Sequence, residues 1–413
     1  MLLSHLLNRL IKVGTLRVID ANGKHHLYQG TEGPHATLRL HDRSLHHRLF
    51  TNPRLALGEA YMHGQVTIED TDLYGFLELI GMNMRHTGQI AMDGVSDILS
   101  RYARSIMQYN SLRSSRANVA RHYDLSENLY DLFLDRDKQY SCAYFNFPGA
   151  DLEQAQEEKK RHIAAKLLLA PGQKVLDIGC GWGGLAIHLA RESGAIVTGL
   201  TLSGEQLRSA RERVSNSGLT GNVSIHQRDY REQTGEFDRI VSIGMFEHVG
   251  IGHYKHFFRQ LYKLLRDDGV ALLHTIGRMR GPGVTDPWYR KYIFPGGYVP
   301  ALSEILPFIE QTGFMVTDIE ILRLHYAETL RHWRRRFLVN RLEAAALYDE
   351  TFCRMWEYYL ASSEIAFRYL GSAVFQIQLA KQHHAVPLTR DYMSAIEPEV
   401  FGKDRRRNNR RAA

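Results

Sequence analysis

The run Val175-Leu-Asp-Ile-Gly-Cys-Gly-Trp-Gly-Gly184 constrains the fold of this 413-residue chain more than any other stretch. Val175 to Ile178 read as a buried parallel strand, the glycines at 179, 181, 183 and 184 as a sharp turn, and Leu185 to Ala190 as the helix that follows. Glycine lets a backbone turn tightly and approach a ligand that a Cβ would hold away. The helix start beyond it offers free N–H groups and the positive end of a dipole. The pattern predicts a nucleotide-type ligand; a glycine turn that holds no ligand is the competing reading.

The next strand narrows the choice. A nicotinamide site wants an acidic residue about 20 positions beyond the first glycine to hold the ribose hydroxyls. Here that region is Ile196-Val-Thr-Gly-Leu-Thr-Leu-Ser203, without a carboxylate. With Asp177 inside the strand, the D-x-G-x-G-x-G form resembles that of methyltransferases dependent on S-adenosylmethionine.

Strand and helix patterns alternate regularly around this turn. Strands are predicted at 174–178, 196–201, 223–227, 238–243, 269–275, 315–322 and 373–380, and helices at about 153–169, 184–193, 204–216, 253–266 and 303–312. This is an α/β, doubly wound Rossmann-like sheet, with its ligands at the carboxyl ends of the strands. Two additions stand out. Residues 277–300 form an insertion rich in Gly, Pro and aromatic residues, and 327–371 form a long helical excursion. The aromatic and leucine content of the latter suits a cover over an apolar substrate, although an ordinary helix–helix core has the same composition. Its aromatic and basic stretch 331–337 is expected to dock on an anionic membrane.

Residues 1–104 read as a separate small α+β domain. An Asn22-Gly23 turn between Thr15–Asp20 and His26–Tyr28 signals a hairpin, with further strands at 36–40 and 65–69. Leu73, Phe76, Leu77 and Ile80 suggest a helix on that sheet, and the interrupted leucines of residues 1–12 an amphipathic helix, not a signal peptide. The many histidines here lack a metal-ligand spacing. A linker is expected at 105–122, the catalytic domain at 123–402, and a basic tail at 403–413.

Charge and cysteine use set further bounds. Of the net charge of +7, the last eleven residues hold +5, enough to attract phospholipid or nucleic acid, or simply to solubilise a disordered end. Three cysteines with no C-x-x-C pair argue against a disulfide framework or structural zinc, and fit a reducing cytoplasm. No run of 18 apolar residues occurs, so no spanning helix is expected.

Seven motifs follow in order: Gln139-Tyr-Ser-Cys-Ala-Tyr-Phe145, the glycine turn, Gly199-Leu-Thr-Leu-Ser-Gly-Glu-Gln206, Arg228-Asp-Tyr-Arg231, Ser242-Ile-Gly-Met-Phe-Glu-His-Val-Gly250, His274-Thr-Ile-Gly277 and Leu324-His-Tyr-Ala-Glu328. This set resembles the cyclopropane-fatty-acyl-phospholipid synthases and, more distantly, the mycolic acid cyclopropane synthases. The resemblance spans the catalytic domain and reaches into the N-terminal one. It implies that S-adenosylmethionine is held by Tyr140, Ser141, Asp177, Gly179 and Gly181, by Thr201, Leu202, Ser203 and Gln206 after the second strand, and by Asp229 and Tyr230 around the adenine. Neutral hydroxyl and amide groups can bond a ribose, and a carboxylate can accept from the adenine amino group. Asp229 as a helix cap remains the alternative.

A cis alkene needs no base before it attacks a sulfonium methyl, but closing the ring from the resulting carbocation does. That base must work in an apolar, water-free pocket, because water would quench the cation. The resemblance implies a bound bicarbonate ion in this role, held by the Glu247, His274 and Tyr326 side chains and the backbone N–H groups of Cys142 and Ile276. Glu247 in an apolar strand end has no ready structural explanation, whereas Tyr326 on its own would be equivocal beside His325. No adjacent cation is evident to make Cys142 a thiolate nucleophile. Some relatives have a cysteine in the C-terminal helical region; Tyr359-Leu-Ala-Ser-Ser-Glu364 has none, and Cys353 falls outside that match.

Three functions stay in competition. The first is methylene transfer to an unsaturated phospholipid acyl chain by a cytoplasmic, peripherally membrane-associated enzyme, which the resemblance suggests is a homodimer. The second diverts the same carbocation to a methyl-branched or methylene fatty acid. The third is an RNA methyltransferase using the basic tail; with the excess charge confined to that tail and no RNA-binding module, no nucleic acid partner is expected.

Overall fold

The computed structural model describes residues 2–87 and 126–393. The proposed boundaries at 104, 122 and 402, the linker and the basic tail lie outside the described residues. The first stretch runs α1 (Leu2–Leu10), β1 (Val13–Ile19), β2 (His25–Gln29), β3 (Thr31–Leu40), α2 (Leu45–Thr51), α3 (Pro53–Met62), β4 (Val66–Glu69) and α4 (Leu73–Thr87). Its sheet has the order β2-β1-β3-β4, with β1 parallel to β3 and the other pairs antiparallel. Asp20 fixes the Asn22-Gly23 hairpin, its Oδ1 accepting the N–H groups of Asn22 at 2.9 Å and Lys24 at 3.0 Å. The sequence pattern shows neither α2 nor α3. In α3 the buried residues Ala56, Gly58, Ala60 and Met62 alternate, which imitates a strand.

The second stretch opens with α5 (Glu127–Asp131) and α6 (Leu152–Leu167). It continues through β5 (Lys174–Ile178), α7 (Gly184–Ser193), β6 (Ile196–Thr201), α8 (Gly204–Asn216), β7 (Val223–Gln227), β8 (Phe237–Ile243), α9 (Tyr254–Leu264) and β9 (Leu265–Arg278). After these come α10 (Pro287–Tyr292), α11 (Leu302–Thr312), β10 (Met315–Leu322), α12 (His325–Val339), α13 (Arg341–Leu347), α14 (Glu350–Tyr369) and β11 (Ser372–Ala380). The seven strands lie in the order β10-β11-β9-β8-β5-β6-β7, and β11 is antiparallel to both its neighbours. The chain reverses direction across the sheet at β5, which is parallel to β8 on one side and β6 on the other. Ligands of such sheets sit beyond the strand ends at that reversal.

The 277–300 insertion and the helical excursion do more than cover the sheet. Trp288 of α10 is fully buried, with Nε1 3.3 Å from the Met62 sulfur, and a Cβ on Gly58 would stand 2.5 Å from its indole. From α14, Glu357 accepts the Tyr61 hydroxyl at 2.7 Å, while the Tyr369 hydroxyl donates to Glu78 at 2.8 Å. Residues 2–87 therefore share one apolar core with the helical excursion.

The 331–337 stretch is not the exposed docking element expected of it. Trp333 and Phe337 are wholly buried, because α12 turns its aromatic face toward α14. Arg331, Arg334 and Arg336 pair with Glu328, Glu364 and Glu153. The apolar exposure falls one turn later, at the corner between α12 and α13, where Val339 and Leu342 are 83% and 84% exposed. Among the described residues no helix is long and apolar enough to cross a membrane.

Candidate active site

Two cavities meet beyond the carboxyl ends of β5, β6, β8 and β9. The smaller, about 150 Å³, is bounded by the glycine turn. Gly181 has φ +54° and open space where a Cβ would stand, so its backbone forms part of the cavity surface. Asp177, at the end of β5, is buried, and its Oδ2 has no hydrogen-bond partner. Burial pushes this carboxyl up to about 7, against the opposing pull of the Lys159 ammonium. An orphaned buried carboxylate beside a glycine cradle fits a ligand with a cationic amino group.

The other expected donor residues divide. Tyr140, Ser141, Gly179, Thr201, Leu202, Gln206, Asp229 and Tyr230 all line this cavity. Thr201 donates to Gln206 Oε1 at 2.8 Å, which fixes the amide in the place where dinucleotide-binding folds put an acid. Ser203 lies outside both cavities; its hydroxyl accepts the Gln206 N–H at 3.3 Å and caps α8. Asp229 is the helix cap given as its alternative, and its place in the cavity wall leaves the adenine reading open. It lines the cavity, and it also caps a short helical turn, its two oxygens gripping the Arg231 guanidinium at 2.9 and 2.7 Å. Trp182, Arg231, Met245 and His248 also line it. All four stand within the motifs of the sequence, but nothing local singles them out from their neighbours, because each reaches the cavity from a turn.

The larger cavity, about 670 Å³, contains Cys142, Glu247, His274, Ile276 and Tyr326 in its wall. Tyr140, Ser141, Gly244 and His248 line both cavities, so this short wall is where a donor and an acceptor would meet. The far wall comes from residues 2–87, with Leu3, Leu7, Leu16, Leu38, Phe76 and Ile80 among its apolar side chains. Nothing in the sequence of the small unit marks it as part of the site.

Glu247 stands on a single turn of 3₁₀ helix after β8. Its Oε1 accepts the Ile276 N–H at 2.5 Å, and its buried Oε2 has no partner. Burial pushes the carboxyl up to about 7, against that backbone hydrogen bond. The Ile276 amide, expected to hold a bound anion directly, is therefore already taken by Glu247. Tyr326, at the start of α12, packs edge-on to Trp333 with ring centres 5.7 Å apart. Cys142 does have a cation near it, Lys159, but burial dominates and pushes the thiol far up, so it stays protonated. At the position of the missing C-terminal cysteine, Ser362 and Ser363 line the cavity and each lies 2.8 Å from the Tyr289 hydroxyl. Cys353 lines neither cavity.

His274 is held neutral, its imidazole lowered to about 3 by burial and then by the cations Lys159 and Lys166. Gln376, fully buried on β11 and directly opposite in register, places its amide nitrogen 3.2 Å from His274 Nδ1. With Nδ1 accepting, the ring proton lies on Nε2. Sequence reading misses Gln376, which lies 102 residues from its partner. Substituting Gln376→Leu removes that donor and releases the tautomer. Turnover is expected to fall about tenfold, in proportion to the loss of roughly one hydrogen bond. Steady-state kinetics together with imidazole nitrogen NMR checks this; an unchanged Nε2–H population with unchanged turnover contradicts it.

Comparison with known proteins agrees with this geometry. A family model described as mycolic acid cyclopropane synthetase matches residues 110–377, and one described as a domain of unknown function matches residues 2–87. The chain is 44% identical over 294 residues to the "Probable fatty acid methyltransferase" of Pseudomonas putida, covering 68% of this chain and 74% of that protein. It is 36% identical over 354 residues to the "Cyclopropane-fatty-acyl-phospholipid synthase" of Escherichia coli K12, covering 84% and 88%. Among solved structures, mycolic acid cyclopropane synthase CmaA1 complexed with SAH and CTAB superposes with a TM-score of 0.61 at 35% identity, covering 64% of this chain and 97% of that one. The first family match takes in both the glycine turn and the Glu247, His274 and Tyr326 wall: the chain belongs to the mycolic acid cyclopropane synthetase family and is an enzyme that transfers a methylene or methyl group from S-adenosylmethionine.

Proposed function

We propose that this protein is a cyclopropane-fatty-acyl-phospholipid synthase, adding a methylene group across the cis double bond of an unsaturated acyl chain. The observation that carries this reading is the continuity of the larger cavity. It begins at Glu247, His274 and Tyr326 and extends between leucine and phenylalanine side chains of the N-terminal unit. Such a cavity suits a long hydrocarbon and excludes water from the reacting centre.

S-adenosylmethionine supplies an electrophilic methyl group when bound. Asp177 suits its amino group, and Tyr140, Ser141 and His248 stand between it and the acyl cavity. Bicarbonate, where bound, supplies a proton acceptor that a protein carboxylate against a cation cannot safely provide. Three side chains fit it. Glu247, which shares a proton near neutrality, offers Oε2; His274 offers Nε2–H; and Tyr326 offers a phenol. Ile276 contributes through Glu247, by holding its other oxygen. Peripheral contact with the bilayer is part of this reading, and the exposed Val339 and Leu342 corner supports it.

A second product is favoured by one observation, the identity to a fatty acid methyltransferase, which implies a branched or methylene chain. One experiment separates the two. Purified protein is incubated with methyl-labelled S-adenosylmethionine and vesicles of unsaturated phospholipid, and the lipids are analysed by mass spectrometry after olefin reduction. A labelled ring that survives reduction is expected. A saturated branch shifts the assignment to the second product, and an unlabelled lipid fraction overturns the phospholipid reading.

A further inference from the structure

The segment 135–142 is a strap gripped from behind by α6, and its residues 138–142 line the wall between the two cavities. Gln156 of α6 donates through Nε2 to the carbonyls of Gln139 at 3.1 Å and Ser141 at 3.0 Å. One turn on, Lys159 donates through Nζ to Gln139 Oε1 at 2.6 Å and to Ser141 Oγ at 2.9 Å. Lys159 is completely buried, and among the described residues no direct ion pair accounts for its being there. Its neighbour Lys160, by contrast, pairs with Asp137 and Glu157, both at 2.8 Å.

Burying an ammonium with two neutral partners is costly, and a methionine would fill the same volume without that cost. The charge is placed where it fixes the side chains of the strap, and the strap carries Tyr140, Ser141 and Cys142. We propose that Lys159 is a positioning residue whose ammonium clamps the 139–142 strap, setting the donor cavity and the acyl cavity in register for methyl transfer. This inference rests on the donor site, not on the identity of the lipid product.

The groups facing Lys159 are Asp135 and Asp137 from the strap, Lys160 from its own helix, Cys142, Asp177 from β5 and His274 from β9. Burial lowers its ammonium from the ordinary 10.5 to about 8, with Asp135 the largest opposing influence. The clamp is thus charged at neutrality and is lost as pH rises through about 8. The fold responds with the opposite sign. Between that value and the ordinary one the unfolded chain binds more protons, so this residue contributes increasing stability as pH rises. Donor binding and stability therefore part company on the alkaline side.

Calorimetric titration with S-adenosylhomocysteine between pH 6.5 and 9.5, run on the full chain, tests this without any lipid. The wild-type Kd is expected to rise above about pH 8. In Lys159→Met the Kd is expected to be raised below about pH 8 and to meet the wild-type value above it, with that limb gone and the thermal unfolding midpoint unchanged or higher. The ligand's own amino group titrates in all the proteins and cancels in the comparison. With active substrate, kcat/KM for the donor is expected to fall about 100-fold, the scale of a small misplacement at a reacting centre. Gln139→Leu removes one acceptor and is expected to move the limb to lower pH. A Lys159→Met protein that keeps the wild-type Kd and its alkaline limb, or a Gln139→Leu limb that does not move, overturns the proposal. An inactive wild type with the predicted binding limb would instead count against the lipid reading alone.

Discussion

Glu247→Gln lowers the rate of transfer by about 10²- to 10⁴-fold, the range for removing a positioned proton-transfer group, while leaving affinity for S-adenosylhomocysteine intact. The amide keeps an oxygen for the Ile276 N–H but cannot share a proton with a bound anion. Stability moves the other way, and the sign follows from the raised carboxyl. Between its ordinary value of 4.5 and about 7 the folded protein holds a proton that the unfolded chain releases, so stability is lost as pH rises through that window. Glutamine removes the penalty. The variant's unfolding midpoint should exceed the wild type's above pH 7, by the equivalent of at most about 3 kcal/mol, and match it below about pH 4.5. Thermal unfolding at pH 4 and pH 8, with single-turnover transfer, checks both halves. A variant with full activity removes Glu247 from the mechanism.

Gly181→Val abolishes saturable binding of the donor. The valine Cβ enters open space in the wall of a cavity of only about 150 Å³, and its methyl groups extend further into it. The backbone there has φ +54°, so the fold is also strained by roughly 1–2 kcal/mol. Gly172→Val separates the two effects. Gly172 has φ +78° and open space around its Cβ, but it lies in an exposed turn away from both cavities. It should lower the unfolding midpoint comparably and leave calorimetric binding of S-adenosylhomocysteine untouched. Retained binding in Gly181→Val would place the donor elsewhere.

Much of the sheet was legible because its strands carry local signals. The β5 run is apolar with a glycine turn, and β6 to β11 each lie within a few residues of their predicted positions. The candidate site residues were legible for a related reason: Glu247 just after an apolar strand and His274 within one are polar groups whose burial is costly. Failures came where the pattern was local but its partner was not. The 331–337 stretch has the right composition for a membrane face, yet α14 claims its aromatic side, and carboxylates from α6, α14 and its own first turn claim its arginines. Lys159 reads as one cation in a charged helix, and only the strap packed over it makes it a buried clamp.

By itself, then, the sequence determined the layered α/β sheet, the place of the glycine turn and the polar residue types that stand in the two cavity walls. Periodicity and turn chemistry act over a few residues, and those features need no more. The tertiary structure alone decided that the leucines of a small N-terminal sheet continue the wall beyond Glu247, that Gln376 orients His274, and that the Ile276 amide serves a carboxylate. Each of these joins groups far apart along the chain, and no local preference encodes which apolar face or which free donor will meet which.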